Sequence, residues 1–154
     1  LFRSGGYIWA PYSQKDGLRQ PYWDSLEFVE AGDILIHGEE AKIKAVSCVK
    51  APFREAEKPI EFANKTKFTD KGRMIDCEYH IAKNPVPTKQ YKDDIIRLVA
   101  GKRFSPFNNL GNGNNGYLYD LDREMAKIFI KALADANPEL KDVPFVAKFL
   151  ESDA

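Results

Sequence analysis

The chain has 154 residues, of which 44% are hydrophobic and 30% are charged, and its 23 Lys plus Arg balance 23 Asp plus Glu. This length is typical of one domain, and the composition excludes a disordered or fibrous chain. The apolar runs, such as residues 34–36, are far shorter than the roughly 18 residues that a membrane-spanning helix needs. We therefore predict one domain, residues 1–154, without a membrane partner.

The charges are unevenly distributed along the chain. Residues 120–154 carry eight acidic and five basic residues, a net charge of −3, and residues 1–119 therefore carry +3. The overall neutrality argues against a strongly basic domain that coats itself in phosphate. The sign of the asymmetry nevertheless suits an anionic ligand held by the first three-quarters of the chain.

Cysteine usage and the first residue bear on the setting of the protein. Cys48 and Cys77 have neither a CxxC spacing nor a secretory leader, which argues against a disulfide framework and a zinc site. We expect two buried, reduced thiols in a cytoplasmic protein. Because the chain begins at Leu1 and not at Met, we also expect a domain excised from a longer protein.

The first half of the chain has the pattern of strands with one helical segment. In chain order we predict a strand at 6–10, a polar loop at 12–19, two helical turns at 22–29, and strands at 34–37 and 42–50. The last strand alternates with a period of two, which buries Ile43, Ala45, Ser47 and Val49 on one face. The short Gly-containing loop at 38–40 predicts a hairpin between these two strands.

The second half mixes strands with helices. We predict an irregular segment at 51–72 with a short strand near 60–62, and then a strand at 73–81 that is ended by Asn84-Pro85, in which Ile75, Cys77, Tyr79 and Ile81 form one face. A helix capped by Thr88 and running to about 100 and a loop at 104–115 follow. The remaining elements are a strand at 116–121, a helix that begins at Asp120 or Asp122 and runs to about 136, and a helix at 139–150 interrupted by Pro144. The connections are too short for repeated parallel crossovers. The pattern thus predicts an α+β fold, a curved mixed sheet or open barrel of five or six strands flanked by helices.

The sequence contains no convincing catalytic or metal motif. His37 and His80 lack any HExxH, HxH or H-x-E spacing, so structural or surface roles are favoured for both. Asp76 and Glu78 fit a solvated strand face. The Gly-Asn run at 111–116 precedes its strand, the wrong order for a dinucleotide fold, and fits a flexible or ligand-contacting loop. We predict no catalytic residues, no metal and no cofactor.

Aromatic residues are concentrated in the first quarter of the chain and are interleaved with basic ones: Tyr7, Trp9, Tyr12, Tyr22 and Trp23, with Lys15 and Arg19. A nucleobase stacks on aromatic rings while basic side chains hold its phosphates. The alternative is that these rings fill the core, and the pattern alone leaves both interpretations open for Trp9 and Trp23.

Several segments resemble a known family. GYIWAPYSQKDGLRQPYWDSL, EAGDILIHGEEAKIKAVSCVKAP, GRMIDCEYHIAKNPVP and GNNGYLYDL are similar to the EVE and YTH branch of the PUA-like superfamily. The resemblance covers residues 6–133. It is closest to the N-terminal specificity domain of McrBC-type modification-dependent restriction systems, which precedes a GTP-driven AAA+ motor.

The resemblance implies a reader of a methylated base, N6-methyladenine above all, which is flipped into an aromatic cage. Carried over by position, Trp23 is the first cage wall, and Ala10, Tyr12 and Ser13 form the rim. The irregular loop has no Trp for the second wall, and Phe68 is its nearest aromatic. With the neighbouring aromatic residues and a serine on the third strand, the predicted base-binding set is Trp9, Ala10, Tyr12, Ser13, Tyr22, Trp23, Ser47 and Phe68.

Basic residues of the same regions are candidates for phosphate contacts, the alternative for each being an ordinary solvated charge: Lys15, Arg19, Lys50, Arg54, Lys71, Arg73, Lys102 and Arg103. The favoured function is a non-enzymatic DNA-binding module that recognises methylated DNA by base flipping and directs an attached AAA+ GTPase motor and a nuclease subunit to it. One alternative is a PUA-like module for RNA or a modified RNA base. Another is a small hydrolase or nuclease that uses His37 or His80.

Overall fold

The computed structural model describes residues 6–19, 21–99, 121 and 123–151. The chain forms two compact units: Leu1–Asp33 with Cys48–Tyr79, and Ile34–Ser47 with His80–Ala154. Within the described residues the elements are β1 (Tyr7–Pro11), α1 (Pro21–Asp24), β2 (Ile34–Glu39), β3 (Lys42–Val49), β4 (Arg54–Glu57), β5 (Lys71–Pro87), α2 (Lys92–Val99), α3 (Arg123–Ala136) and α4 (Pro144–Glu151). The predicted α+β class is confirmed. None of the helices in the described ranges is long and apolar enough to cross a membrane.

The first unit is built on β5, which lies between β1 and β4 and is antiparallel to both. Met74 of β5 lies opposite Trp9 of β1 on one side and opposite Arg54 of β4 on the other. Where we predicted a mixed sheet, both pairings here are antiparallel. A short helix, α1, and a 3₁₀ turn, Ser25–Phe28, follow β1 where two helical turns were predicted, and Leu26 of the turn is buried.

The second unit combines a β2–β3 hairpin and the end of β5 with helices. The hairpin turns at Glu40 and Ala41, whose positive φ values of 55° and 60° are those of a two-residue type I′ turn. Gly38, which we placed in the loop, lies inside β2. The apolar core includes Val46, Phe129 and Leu133. The last two residues lie one turn apart on α3, as expected for a helix with one buried face.

Three local predictions were wrong. Residues 60–62 form a 3₁₀ turn, and the strand of that region is β4, at 54–57. The strand β5 does not end at Asn84-Pro85 but continues to Pro87, and Ile81 is 60% exposed because the buried face changes to Ala82. Thr88 does not cap a helix. Its hydroxyl donates to the Ala41 carbonyl at 3.2 Å and its N–H to the same oxygen at 3.0 Å, which ties it to the hairpin turn.

The C-terminal segment differs in one respect from the prediction. Pro144 begins α4 instead of interrupting a helix, because proline at the first helical position loses no hydrogen bond. Residues 138–142 form a 3₁₀ turn before it. The predicted loop at 104–115 and strand at 116–121, apart from Leu121, lie outside the described residues.

Asn137 joins α3 to β5 through its buried side chain. Its Oδ1 accepts the Asn84 N–H at 2.8 Å, and its Nδ2 donates to the carbonyls of Asn84 and Leu133, each at 2.9 Å. These bonds satisfy the backbone of β5 beside Pro85, which has no N–H to offer a neighbouring strand.

We expect Asn137→Ala to lower the free energy of unfolding by about 2–3 kcal/mol, because it leaves buried backbone groups without partners. Urea denaturation measures this loss. In the matched control, Asn84→Ala, the backbone bonds to Asn137 remain and only an exposed bond to Ala136 is removed, so a loss below about 1 kcal/mol is expected. Equal losses in the two variants would contradict this role of Asn137.

Candidate functional site

Trp9 lies across the central strand of the first unit. Its side chain is fully buried, and its Nε1 donates to the Ala56 carbonyl of β4 at 3.2 Å. Ala56 pairs with Gly72 of β5, so the indole reaches from β1 over Gly72 to β4. A Cβ at position 72 would come within 2.7 Å of the indole carbons. The glycine is thus what allows the ring to lie against the strand.

Three of the predicted base-binding rings lie together in this unit. The centroid of Phe68 is 5.4 Å from that of Trp23, in an edge-on arrangement, and 6.4 Å from that of Trp9. Phe62 also contacts Trp9, with ring centroids 5.3 Å apart. We call Trp9, Trp23, Phe62 and Phe68 the aromatic cluster. Trp9 and Trp23 are both buried, whereas Phe62 and Phe68 are half-buried, so the two phenylalanines form the accessible part of the cluster.

The polar loop after β1 is joined to the segment that carries Phe68. Gln14 and Phe68 form an antiparallel bridge, the Lys15 N–H donates to the Lys67 carbonyl at 2.7 Å, and the Thr69 N–H donates to the Ser13 carbonyl at 3.1 Å. These bonds bring the predicted rim residue Ser13 next to the residue that follows Phe68. Ala10, another predicted rim residue, is fully buried in β1.

Arg73 holds the helix that carries Trp23 against β5. Its side chain is 9% exposed, and its Nε donates to Glu27 Oε1 at 3.0 Å. Its Nη1 lies 3.2 Å from Asp24 Oδ1; both atoms are buried, and their geometry makes an ion pair without an aligned hydrogen bond. Asp24 directly follows Trp23, and Glu27 lies in the 3₁₀ turn after it, so the guanidinium ties the helical segment that carries the indole to β5.

Tyr12 covers the same guanidinium from outside. The Arg73 Cζ lies 4.7 Å from the centre of the Tyr12 ring, a cation–π distance. The phenol donates to Glu55 Oε1 at 3.0 Å. Burial, and then this hydrogen bond, raises the pKa of the Tyr12 phenol above its ordinary value. Tyr12 is therefore a protonated donor at neutral pH, engaged with β4.

Five of the six predicted phosphate-binding residues that the structure describes pair with an acidic side chain. Exposed pairs join Lys15 to Asp70 at 3.9 Å, Arg54 to Asp76 at 3.0 Å and Lys71 to Glu55 at 3.7 Å. Arg19 lies 3.2 Å from Asp24, which is only 25% exposed and also pairs with Arg73. Lys50 is exposed, whereas Arg73 is buried in the network above. Lys102 and Arg103 lie outside the described residues, as does the side chain of Tyr22. Because exposed pairs are worth about 0–1 kcal/mol, Lys15, Arg54 and Lys71 can exchange their carboxylates for phosphates at small cost.

Ser47 and the histidines belong to the second unit. Ser47 is fully buried on β3 and lies 2.7 Å from His37 Nε2. The His80 ring packs against Phe145, with centroids 5.6 Å apart. Among the residues that the structure describes, no group of three or more His, Cys, Asp or Glu could hold a metal ion. The contacts of Ser47 are thus those of a core hydroxyl, bonded to a neighbouring strand.

A shallow groove of about 280 Å³ also lies in the second unit. It is lined by Tyr91, Asp94, Ile128, Lys131, Ala132 and Asp135. The Lys131 ammonium donates to the Asp135 carboxylate at 2.8 Å, one turn along α3, and with Asp94 the lining has a net charge of −1. The aromatic cluster remains the stronger candidate.

Several residues of the site were missed by the sequence reasoning. Glu27 and Asp24 hold Arg73, Phe62 completes the aromatic cluster, and Gly72 makes room for Trp9. Only Gly72 carried a signal: a glycine at the start of a strong strand pattern marks a close approach of another group. The partners of Arg73 are 46 and 49 positions away in sequence and leave no local pattern.

Neither a protein-family model nor a curated protein sequence matches this chain. The functional conclusion therefore depends on the residues and contacts described above.

Proposed function

We propose that this chain is a non-enzymatic, PUA-like DNA-binding module related to EVE and YTH domains. It reads a methylated base, with N6-methyladenine as the preferred modification, by flipping it out of the duplex and against the aromatic cluster. An attached AAA+ GTPase motor and a nuclease subunit are the partners that such a module would direct to modified DNA. The antiparallel, α+β character of the fold is compatible with this relationship.

The observation that carries the proposal is the contact of Trp23 with Phe68, backed by Trp9. The two walls expected from the resemblance are thus neighbours in space, although 45 residues separate them in sequence. Arg73 holds the helical segment of Trp23 in place through its ion pairs with Asp24 and Glu27. A rigidly held indole beside a half-buried ring is suited to receive one flat ligand, because little side-chain freedom remains to be lost on binding.

Entry of a base exchanges one ring contact for another. The edge of Phe68 must leave Trp23, and an aromatic pair of this kind is worth about 0.5–1.5 kcal/mol. A nucleobase stacked on an aromatic ring is worth about 1–3 kcal/mol. The exchange therefore favours the base, and the methyl group adds about 0.8 kcal/mol if it is fully buried.

The charges near the cluster suit this function. Lys15, Lys50 and Lys71 are exposed, and the acidic partners of Lys15 and Lys71 lie at 3.9 and 3.7 Å in weak pairs. Such cations contact phosphates without a strong general attraction, since the chain is neutral overall. We therefore expect weak binding to unmodified DNA and a higher affinity for methylated DNA.

The test compares short duplexes with and without one N6-methyladenine, by fluorescence anisotropy, for the wild type and Trp23→Leu. We expect the wild type to bind the methylated duplex about fourfold more tightly, the factor that corresponds to 0.8 kcal/mol. Trp23→Leu is expected to bind the methylated duplex at least about fivefold more weakly, because stacking is lost while an apolar side chain is kept.

Phe28→Leu is the matched control. Phe28 is the last residue of the 3₁₀ turn Ser25–Phe28 and is 80% exposed, so its replacement leaves the aromatic cluster intact. Circular dichroism verifies that all variants are folded at the temperature of the binding measurement. Equal affinities for both duplexes in both proteins would refute the proposal, and preferential competition by a matched RNA would favour the RNA alternative.

A further inference from the structure

A compact loop projects from the aromatic cluster in the first unit. Residues 58–70 leave β4 and return to β5, and the Lys58 N–H donates to the Asp70 carbonyl at 2.7 Å, which closes the ends of the segment. We call it the 58–70 loop. Closed loops of this length, packed by their own side chains, are frequently functional.

The inner side of the loop is anchored by two phenylalanines. Phe62 and Phe68 both contact Trp9, at 5.3 and 6.4 Å between centroids. The backbone bonds within the loop include Ala63 N–H to the Ile60 carbonyl at 3.0 Å and Lys65 N–H to the Phe62 carbonyl at 2.9 Å. The loop is therefore held in a defined conformation by the same rings that form the aromatic cluster.

The outer side presents an apolar residue among lysines. Ile60 is 85% exposed. The 58–70 loop contains three lysines and two acidic residues, a net charge of +1. Lys65 and Lys67 are exposed, and the Lys15 backbone is bonded to that of Lys67, so a third exposed lysine lies beside the loop.

We propose that the 58–70 loop is the element that enters duplex DNA, with Ile60 inserted into the stack and Lys65 and Lys67 on the flanking phosphates. This inference rests on the proposed function and names the residue that fills the space a flipped base leaves. Isoleucine is among the apolar side chains that proteins insert between base steps. The surrounding positive charge makes a polyanion the complementary partner.

An inserted side chain contributes only to duplex binding, because a single strand has no continuous base stack to fill. The test therefore compares the affinities for a duplex and for a single strand. We expect Ile60→Ser to weaken binding of the methylated duplex about tenfold, because the buried apolar side chain is lost. Binding of the same methylated strand without its complement should be unchanged. Ile81→Ser is the matched control, since Ile81 is an isoleucine of the second unit that is 60% exposed; its affinity for both probes should equal that of the wild type.

The phosphate contacts have a separate readout. The double variant Lys65→Gln/Lys67→Gln should reduce the slope of log K against log salt by about 1.8 for duplex DNA, two contacts at about 0.9 each. An unchanged slope would overturn the assignment of these lysines.

The outcomes separate this inference from the proposed function. If the wild type prefers methylated DNA but Ile60→Ser binds the duplex as tightly as the wild type, insertion is wrong and base reading stands. If the wild type shows no methyl preference but Ile60→Ser loses duplex binding alone, base reading is wrong and insertion stands. A wild type that binds no duplex overturns both.

Discussion

Replacement of Arg73 by methionine is expected to lower the free energy of unfolding by about 3 kcal/mol, the lower end of the range for breaking a buried ion pair. Methionine keeps much of the apolar stem but leaves Asp24 and Glu27 without their common cation. The side chains of Asp24 and Glu27 are 25% and 41% exposed, so water partly compensates and the upper end of the range is not reached. Urea denaturation followed by far-ultraviolet circular dichroism at neutral pH measures the loss.

Arg54→Met is the control for this prediction. Arg54 pairs with Asp76 at 3.0 Å, but the two side chains are 56% and 41% exposed, and the expected loss is below about 1 kcal/mol. If both variants lost the same stability, burial of Arg73 would not be what makes its network important. The emission of Trp23 should also change in Arg73→Met and not in Arg54→Met, because only Arg73 holds the helix beside that indole.

The placement of Arg73 shows where the sequence could and could not predict the site. Sequence reasoning assigned it to phosphate contacts as one basic residue among eight, because the residue type alone does not reveal burial. The structure places its guanidinium between two carboxylates and the Tyr12 ring. These partners come from distant segments, and such pairings are properties of the tertiary fold that neither period nor composition encodes.

The regular elements were predictable wherever one face is buried throughout. In β3, Ile43, Ala45, Ser47 and Val49 are all buried, as the period of two indicated. The helix α3 follows for the same reason, with a period near 3.6. An element whose environment is constant along its length therefore shows a clear hydrophobic period in the sequence.

The pattern failed where the environment changes along one element. The strand β5 belongs to the first unit up to Tyr79 and to the second from His80. Its buried face therefore switches, and Ile81 is exposed while Ala82 is buried. Its continuation past Pro85 depends on the Asn137 side chain, which takes over hydrogen bonds that a neighbouring strand would otherwise make.

Three of the four rings of the aromatic cluster were recognised from the sequence, but Phe62 and the arrangement of the four were not. Trp9 and Trp23 are close in sequence, and Phe68 was proposed only as the nearest ring of the irregular loop. The structure brings Phe68 to both. It also buries both tryptophans, Trp9 as a support across β5 and Trp23 beside Phe68, so a ligand reaches Trp23 only past the half-buried phenylalanine.

The second large effect is expected at Gly72, where alanine should lower the free energy of unfolding by at least about 3 kcal/mol, the upper part of the range for overpacking. The added Cβ would collide with the Ala10 carbonyl oxygen and approach the indole of Trp9 to 2.7 Å. Neither neighbour is the free end of a flexible side chain, since one is backbone of β1 and the other a fully buried ring. Relief requires β1 to move away from β5. Thermal and urea unfolding measure the loss, which is a large part of the 5–15 kcal/mol typical of a folded domain.

Gly38→Ala separates this steric effect from the general effect of replacing a strand glycine. Gly38 also lies in a strand, and a Cβ there would meet its nearest atom, the Lys42 carbonyl oxygen, at an ordinary 3.5 Å. Its change should stay within about 1 kcal/mol, and restriction of the unfolded chain favours a small gain. In the background of Trp9→Leu, Gly72→Ala should cost less than in the wild type, because the clash with the ring is removed and only that with the Ala10 carbonyl remains. Equal effects of Gly72→Ala in both backgrounds would mean that the indole does not lie across β5, and the support assigned here to the aromatic cluster would be lost with it.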